Sequence, residues 1–346
     1  MKEHLLRKWI TTCWIGIFLL LTSVMAKGQS GSTYPVSNYY TGGTLNDIAE
    51  VTITQTTEVP LQTYLTIKMR RGFKIKTLYL NNTFLGSVES GSKNGDYITY
   101  TNTINTSEYN SYTNNGVNIS FKAQYTFSDI EDLDDLKSIF NYYTPNSTIQ
   151  SPNDANTLEV SQAITGPGSG SSVNPMKLNL TSNSKPIIIH QMNANSRISN
   201  FDINLNGGDL TFKQEEFTGN NLPSIEMNSG SLTLDGENAT LGSLTMKDGN
   251  LSLKNGAKIT NFTANKGNVT IANNPRGYSF QKLSIEGDVT ITGDCVISES
   301  TYQGYDYLAE ETTIKKGTVT IKQLKLAPNY PFIVEDGDVT FDQMLC

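Results

Sequence analysis

The sequence predicts an all-β protein in two parts, an N-terminal antiparallel β-sandwich-like domain followed by a parallel β-helix. Three observations predict it. From Thr44 to Phe127, short segments alternate apolar and polar residues at period two, as half-buried strands do. From Gly208 onward, a five-residue phrase built on glycine returns about every twenty residues. Between the two lies a polar stretch rich in Gly, Pro and Ser. The expected layout is residues 1–28 as an export signal, 29–144 as the sandwich-like domain with one short helix, 145–175 as a linker and helix cap, and 176–346 as the solenoid.

The leader has three zones: a basic start at Lys2, Arg7 and Lys8, an apolar stretch from Trp9 to Met25, and small residues before Lys27 and Gln29. Its length approaches that of a membrane span, so an uncleaved anchor is the rival reading. Thr11, Thr12, Thr22 and Ser23 inside the stretch favour the cleaved signal. Export is therefore expected, to the periplasm, the cell surface or beyond, with no membrane span once the leader is gone. The whole chain carries net charge −7, and losing a basic leader makes it more acidic, which argues against a nucleic-acid partner. Cys295 and Cys346 are the cysteines left, enough for one disulfide but not for a disulfide scaffold.

The chain has two histidines, and His4 lies in the leader. A nucleophilic triad would have to be built around His190, and a multi-histidine metal site cannot be built. His190 ends the run Pro-Ile-Ile-Ile-His, which reads as a strand with a hydrogen-bonded histidine near its end. No cofactor motif is present and none is expected.

In the front part the strand segments are "EVTITQT", "TYLTIKM", "FKIKTLYL", "DYITYTNTI" and "VNISFKAQYTF", some separated by turn dipeptides such as Asn94-Gly95 and Asn115-Gly116. "SDIEDLDDLKSIF" is the helix candidate. Ser128 with Glu131 forms a capping box, and Ile130, Leu133, Leu136 and Phe140 form an apolar stripe expected to pack on the sandwich. Its acids lack the glycine-containing loop of an EF-hand, so they read as helix-start residues and not as a calcium site. The run "KMRRGFKIK" places Lys68, Arg70, Arg71, Lys74 and Lys76 together. It reads as a solvated sheet face, with contact to acidic glycans or lipid headgroups as the alternative. In the linker, "TLEVSQAI" reads as one strand that caps the solenoid.

The repeat has seven copies, beginning at Gly208, Gly230, Gly249, Gly267, Gly287, Gly317 and Gly337. Each runs Gly-x-apolar-Thr/Ser-apolar and follows a second short strand, as in Ile203 and Leu205, Ile225 and Met227, or Leu244 and Met246. Glycine turns the corner at positive φ, the apolar residues of both strands face in, and the others face out. Stacking such coils in parallel buries every apolar column at once, which favours a β-helix over an antiparallel meander. Thr211, Thr233, Ser252, Thr270, Thr290, Thr320 and Thr340 are expected to stack outward in one column. Asp209, Ser231, Asn250, Asn268, Asp288, Thr318 and Asp338 are expected beside it. Their bland reading is strand propensity and turn preference; their functional one is a flat face for an extended glycan or an ice surface. On this repeat, residues 176–346 resemble the right-handed parallel β-helix proteins secreted by bacteria, a group holding both adhesins and polysaccharide-degrading enzymes. The resemblance implies architecture and not activity.

Chemistry is expected where the repeat breaks. The Gly287 to Gly317 interval is ten residues longer than its neighbours, and the excess carries Tyr302, Tyr305, Asp306 and Tyr307. The coil before it adds Arg276 and Tyr278. Tyrosine offers a flat apolar face and a hydroxyl, which suits a sugar ring. These six residues are the candidate ligand site, with a packed surface loop as the plain alternative. The expected function is non-catalytic adhesion or glycan binding at a bacterial cell surface, the partner being extracellular or surface polysaccharide. A protein, or another copy, at the C-terminal end of the helix is a second expected partner. The alternative function is a polysaccharide-active β-helix enzyme, a lyase or glycoside hydrolase, yet no motif singles out a carboxylate pair among the many corner aspartates.

Overall fold

The structure, a computed structural model, describes residues 31–38, 45, 48–57, 60–88, 91–144, 156–167, 177–214, 222–237, 239–272, 279–293, 309–325 and 331–345. It is nearly all β, with a curled, mainly antiparallel sheet in the N-terminal part and a parallel β-solenoid in the C-terminal part. The chain forms two compact units: Met1–Arg70 with Ile75–Gln124, and Arg71–Lys74 with Tyr125–Cys346. Among the described residues no helix is long and apolar enough to cross a membrane.

The front sheet and its helix comprise β1 (Gly31–Asn38), β2 (Ala49–Gln55), β3 (Thr63–Arg70), β4 (Phe73–Leu80), β5 (Thr83–Val88), β6 (Ser92–Asn94), β7 (Tyr97–Ile104), the helix α1 (Thr106–Asn114) and β8 (Phe121–Phe127). The sheet order is β5-β4-β8-β1-β2-β3-β7-β6. Strand β1 makes the curl: its first half pairs antiparallel with β2, and from Val36 it pairs parallel with β8. Alternation sets the inner face. On β3, Thr63, Leu65, Ile67 and Met69 are buried while Tyr64, Thr66, Lys68 and Arg70 are half exposed. On β4 an irregularity between Ile75 and Leu78 lets both point inward across an odd step.

Among the described residues two helices are present where the sequence predicts one. Helix α1 has no apolar stripe and, Glu108 apart, no strong helix former. It is held by its cap, Asn105, whose side chain accepts from the Ser107 and Glu108 amides, and by one buried residue, Tyr109.

The second unit comprises β9 (Asp129–Ile130), α2 (Leu133–Tyr143), β10 (Thr157–Val160), β11 (Ile164–Thr165), β12 (Lys177–Thr181), β13 (Ile187–Gln191), β14 (Ile198–Ser199), β15 (Asp202–Gln214), β16 (Ser224–Asp235), β17 (Thr240–Met246), β18 (Asn250–Lys254), β19 (Lys258–Ala272), β20 (Phe280–Gly293), β21 (Ala309–Ile314), β22 (Thr318–Lys325), β23 (Phe332–Val334) and β24 (Asp338–Leu345). All recorded strand pairings here are parallel, and they stack into about six turns. Three ladders form the walls. The first carries Ile130, Leu180, Leu205, Met227, Met246, Ala264, Ile285 and Ile314 in register. The second carries Leu158, Ile189, Phe212, Leu234, Leu253 and Ile271. The third carries Leu241, Ile259, Phe280 and Ala309. From Leu158 to Ile285 these columns are buried, and Phe262 stacks on Phe280 at 4.9 Å.

The structure corrects three expectations. Helix α2 begins four residues later than the Ser128 cap implies, with Asp132 as its cap accepting from the Asp134 and Asp135 amides. Asp129 and Ile130 are extended because they pair with Asn179 and Leu180 at the start of the first ladder. The apolar stripe of α2, expected on the sandwich, meets the first solenoid strands, with Phe140 and Phe201 rings 5.3 Å apart. "TLEVSQAI" accordingly supplies β10, in the second ladder, and the start of β11, which pairs with β14 as a separate two-stranded sheet, while α2 packs on both strands.

The third correction concerns register. Between the coils of Gly267 and Gly287 the second ladder slips by two, so Val269 pairs with Ile291 and Thr270 with Thr292, in place of Val289 and Thr290. A two-residue slip leaves every apolar residue facing in, so alternation alone does not exclude it. The expected columns therefore hold in two blocks: Thr211, Thr233, Ser252, Thr270 and Thr292, then Thr290, Thr320 and Thr340.

Candidate functional site

The corner glycines stack on one another, and this fixes their identity beyond the need for positive φ. A Cβ at Gly230 would lie 2.3 Å from the Gly208 carbonyl oxygen; at Gly249, 2.4 Å from that of Gly230; at Gly267, 2.1 Å from that of Gly249. Real Cβ contacts do not reach such distances, so each coil holds the next one to glycine. Two residues before the first of these corners an amide ladder runs along the solenoid. Asn228 Nδ2 donates to Asn206 Oδ1 at 2.7 Å, Asn206 donates to Asn179, and Asn179 Nδ2 donates to Asp129 Oδ1 at 2.6 Å. The recurring Asn-x-Gly of Asn206 and Asn228 was its sequence signal.

The outer face of the second ladder is hydroxylated and amidated. Asn268 Nδ2 donates to Asn250 Oδ1 at 3.0 Å, and the hydroxyls of Thr270 and Thr292 lie 3.3 Å apart. At the register slip, Asp288 Oδ1 instead accepts from the Thr318 amide at 2.9 Å. Charged residues pair across coils: Glu226 with Lys177 and Lys247 at 3.2 and 2.9 Å, Asp248 with Lys266 at 2.7 Å, Glu286 with Lys315 at 2.8 Å. Hydrogen bonds from Lys247 and Lys177 hold the Glu226 carboxyl below its ordinary pKa. Lys266 and the Gly249 amide do the same to Asp248. Both are thus kept ionised, the opposite of what a proton-donating carboxyl requires.

All six candidate ligand residues lie outside the described residues: Arg276 and Tyr278 in 273–278, and Tyr302, Tyr305, Asp306 and Tyr307 in 294–308. Cys295 and Cys346 lie outside them too. The strands that flank the two stretches are described. Ile271 and Gly293 are register partners where the second ladder ends, and Phe280 and Ala309 are partners in the third. The residues that flank the two stretches are therefore register neighbours on both sides, in consecutive coils.

The remaining expectations resolve locally. His190 is buried within β13, with Glu159 and Lys213 as its register neighbours. The basic run is split by alternation and by burial. Lys68 pairs with Glu50 at 3.5 Å and sits over the Tyr97 ring at 4.3 Å. Arg71 is buried and answers the acidic start of α2: Nε donates to Asp135 Oδ1 at 2.9 Å and Nη2 to Asp132 Oδ1 at 2.7 Å. The acids of α2 thus serve an internal ion cluster. Among the described residues no group of three or more His, Cys, Asp or Glu side chains is placed to hold a metal ion. No family model, curated protein or solved structure matches the chain.

Proposed function

We propose that this is an exported, non-catalytic protein that binds extracellular or surface polysaccharide and so serves adhesion. The observation that carries the proposal is the pairing of anchors: the stretch with Arg276 and Tyr278 and the stretch with Tyr302, Tyr305 and Tyr307 join the solenoid at register-paired residues in consecutive coils. A solenoid commonly binds where its repeat is lengthened, and the stretch with Tyr302, Tyr305 and Tyr307 is such an insertion. The anchors of both stretches adjoin a second ladder whose outward residues include hydroxyls and amides, groups that exchange hydrogen bonds with sugars.

The test is glycan-array binding of the exported chain against a variant carrying Tyr302→Ala, Tyr305→Ala and Tyr307→Ala. Loss of binding in a variant with an unchanged circular dichroism spectrum is the expected result. Equal binding by both proteins would remove these tyrosines from recognition. Release of oligosaccharide from a bound polymer would move the protein to the enzyme class.

A further inference from the structure

Strand β7 is paired on both sides for only half its length. β3 accompanies it from Tyr97 to Ile104, whereas β6 accompanies only Tyr97, Ile98 and Thr99. Burial follows the pairing. Residues 97–100 alternate between half-buried and buried, but Thr101, Asn102 and Thr103 are all exposed, so both parities are bare where the second neighbour stops.

This free edge borders a gap. Gly91 marks its start: a Cβ there would lie 2.6 Å from the Thr99 carbonyl oxygen. Before Gly91, β5 stays with β4 and is the terminal strand of the sheet order. A concavity of about 870 Å³ lies between β5 and the free half of β7, with residues 84–87 on one side and 99–105 on the other. Its floor, Leu65, Ile67, Leu78 and Leu80, is only 1–2 % exposed, so the gap offers main chain and no apolar pocket. A Cβ at Gly86 would meet nothing within 4 Å, which leaves room on the β5 side.

The edge groups can be assigned. The Thr103 amide donates to Asn102 Oδ1 at 2.8 Å and so lies outside the β3 ladder. Hydrogen-bonding sides alternate along an antiparallel strand, so Thr101 presents its amide and carbonyl to the same side as Thr103. A side chain that caps a strand amide competes with strand pairing, and Asn102 therefore occupies a donor that an added strand would use. Both neighbours of β7 run antiparallel to it. A strand added in that sense would have its amino end beside Ile104 and the first turn of α1, where Glu108 lines the gap.

We propose that this edge is a docking site for an extended segment of another polypeptide, added antiparallel to β7 at Thr101 and Thr103, with a basic residue at its amino end. Main-chain hydrogen bonds supply the binding and Glu108 the preference for charge. The probe is a fluorescein-labelled peptide, Lys-Val-Thr-Val-Thr-Val, titrated against the exported chain by fluorescence anisotropy. Saturable binding is expected, with slowed amide hydrogen exchange at Thr101 and Thr103. Thr103→Pro removes an edge donor that no ladder uses and should weaken binding by about fivefold or more. Asn102→Val frees the same donor and should strengthen it. Glu108→Gln should erase the preference for this probe over Glu-Val-Thr-Val-Thr-Val. No saturable binding, or binding that Thr103→Pro leaves unchanged, overturns the proposal. Self-association in sedimentation that Thr103→Pro abolishes would assign the edge to a second copy and overturn the choice of partner. Should Thr103→Pro unfold, two probes decide, each N-methylated on one alternate set of amides: loss of binding by one of them is expected, and binding by both equal to the parent probe overturns the proposal.

Discussion

At Gly249 a Cβ would meet the Gly230 carbonyl oxygen at 2.4 Å, and the backbone sits at φ +116, where side chains strain. Gly242, one coil corner away on β17, has nothing within 4 Å of its would-be Cβ and no positive φ. Alanine at these positions is therefore expected to act oppositely. Gly249→Ala should cost about 3 kcal/mol or more in urea unfolding, while Gly242→Ala should be neutral or slightly stabilising. Equal effects would mean that the stacked carbonyl is not what selects glycine. A second prediction concerns Glu226. Its folded pKa lies below the ordinary 4.5, so its contribution is complete above that value and is lost as pH falls through the folded pKa. Glu226→Gln should flatten the stability profile as pH falls below about 4.5, the variant being less stable at neutrality and equal to the parent in strong acid.

Helix α2 is fastened by one residue from a distant turn. Arg71 reaches Asp135, which is 2 % exposed, and Asp132, which also caps the helix. Burial alone would lower the guanidinium pKa, but the hydrogen bonds and charges of Asp135 and Asp132 outweigh it and raise it. Asp135 also accepts from the Glu131 amide at 3.0 Å, so both its oxygens are used. Arg71→Leu leaves a buried carboxylate without its cation and is expected to cost about 3–5 kcal/mol. Adding Asp135→Asn should recover part of that loss, and thermal denaturation of the single and double variants measures it. No recovery would show that Arg71 acts through packing and not through charge.

At the scale of the molecule, the solenoid unit is discontinuous in sequence: it takes in Arg71–Lys74 as well as Tyr125–Cys346. Phe73 packs edge-on against Phe127 and Tyr142, at 5.6 and 5.4 Å. A fragment starting at Tyr125 keeps β9 and α2 but loses these contacts and the Arg71 cluster. A fragment starting at Pro145 loses the cover of the first coil as well, exposing Phe201 and the end of the first ladder. The expected order of thermal midpoints is full chain, then the Tyr125 fragment, then the Pro145 fragment, read by circular dichroism at 218 nm, the region of β signal. Equal midpoints for the two fragments would show that α2 adds nothing as a cover.

The sequence by itself determined the class of both parts, because the signals involved are local and periodic. Alternation on "TYLTIKM" marks β3 whatever lies opposite it, and a glycine corner every twenty residues admits few architectures besides a solenoid. Tertiary structure decided what those periods leave degenerate. The slip between Thr270 and Thr292 preserves parity, so only the fit of neighbouring coils selects it. The start of α2 depended on Asp129 and Ile130 finding Asn179 and Leu180, some fifty residues away. Arg71 lay within a basic run that looked like a solvated face, until chain folding brought three aspartates to it. Local periodicity chooses which face of a strand is buried; which strands meet, and where the face stays open, is settled by contacts between residues far apart in the chain.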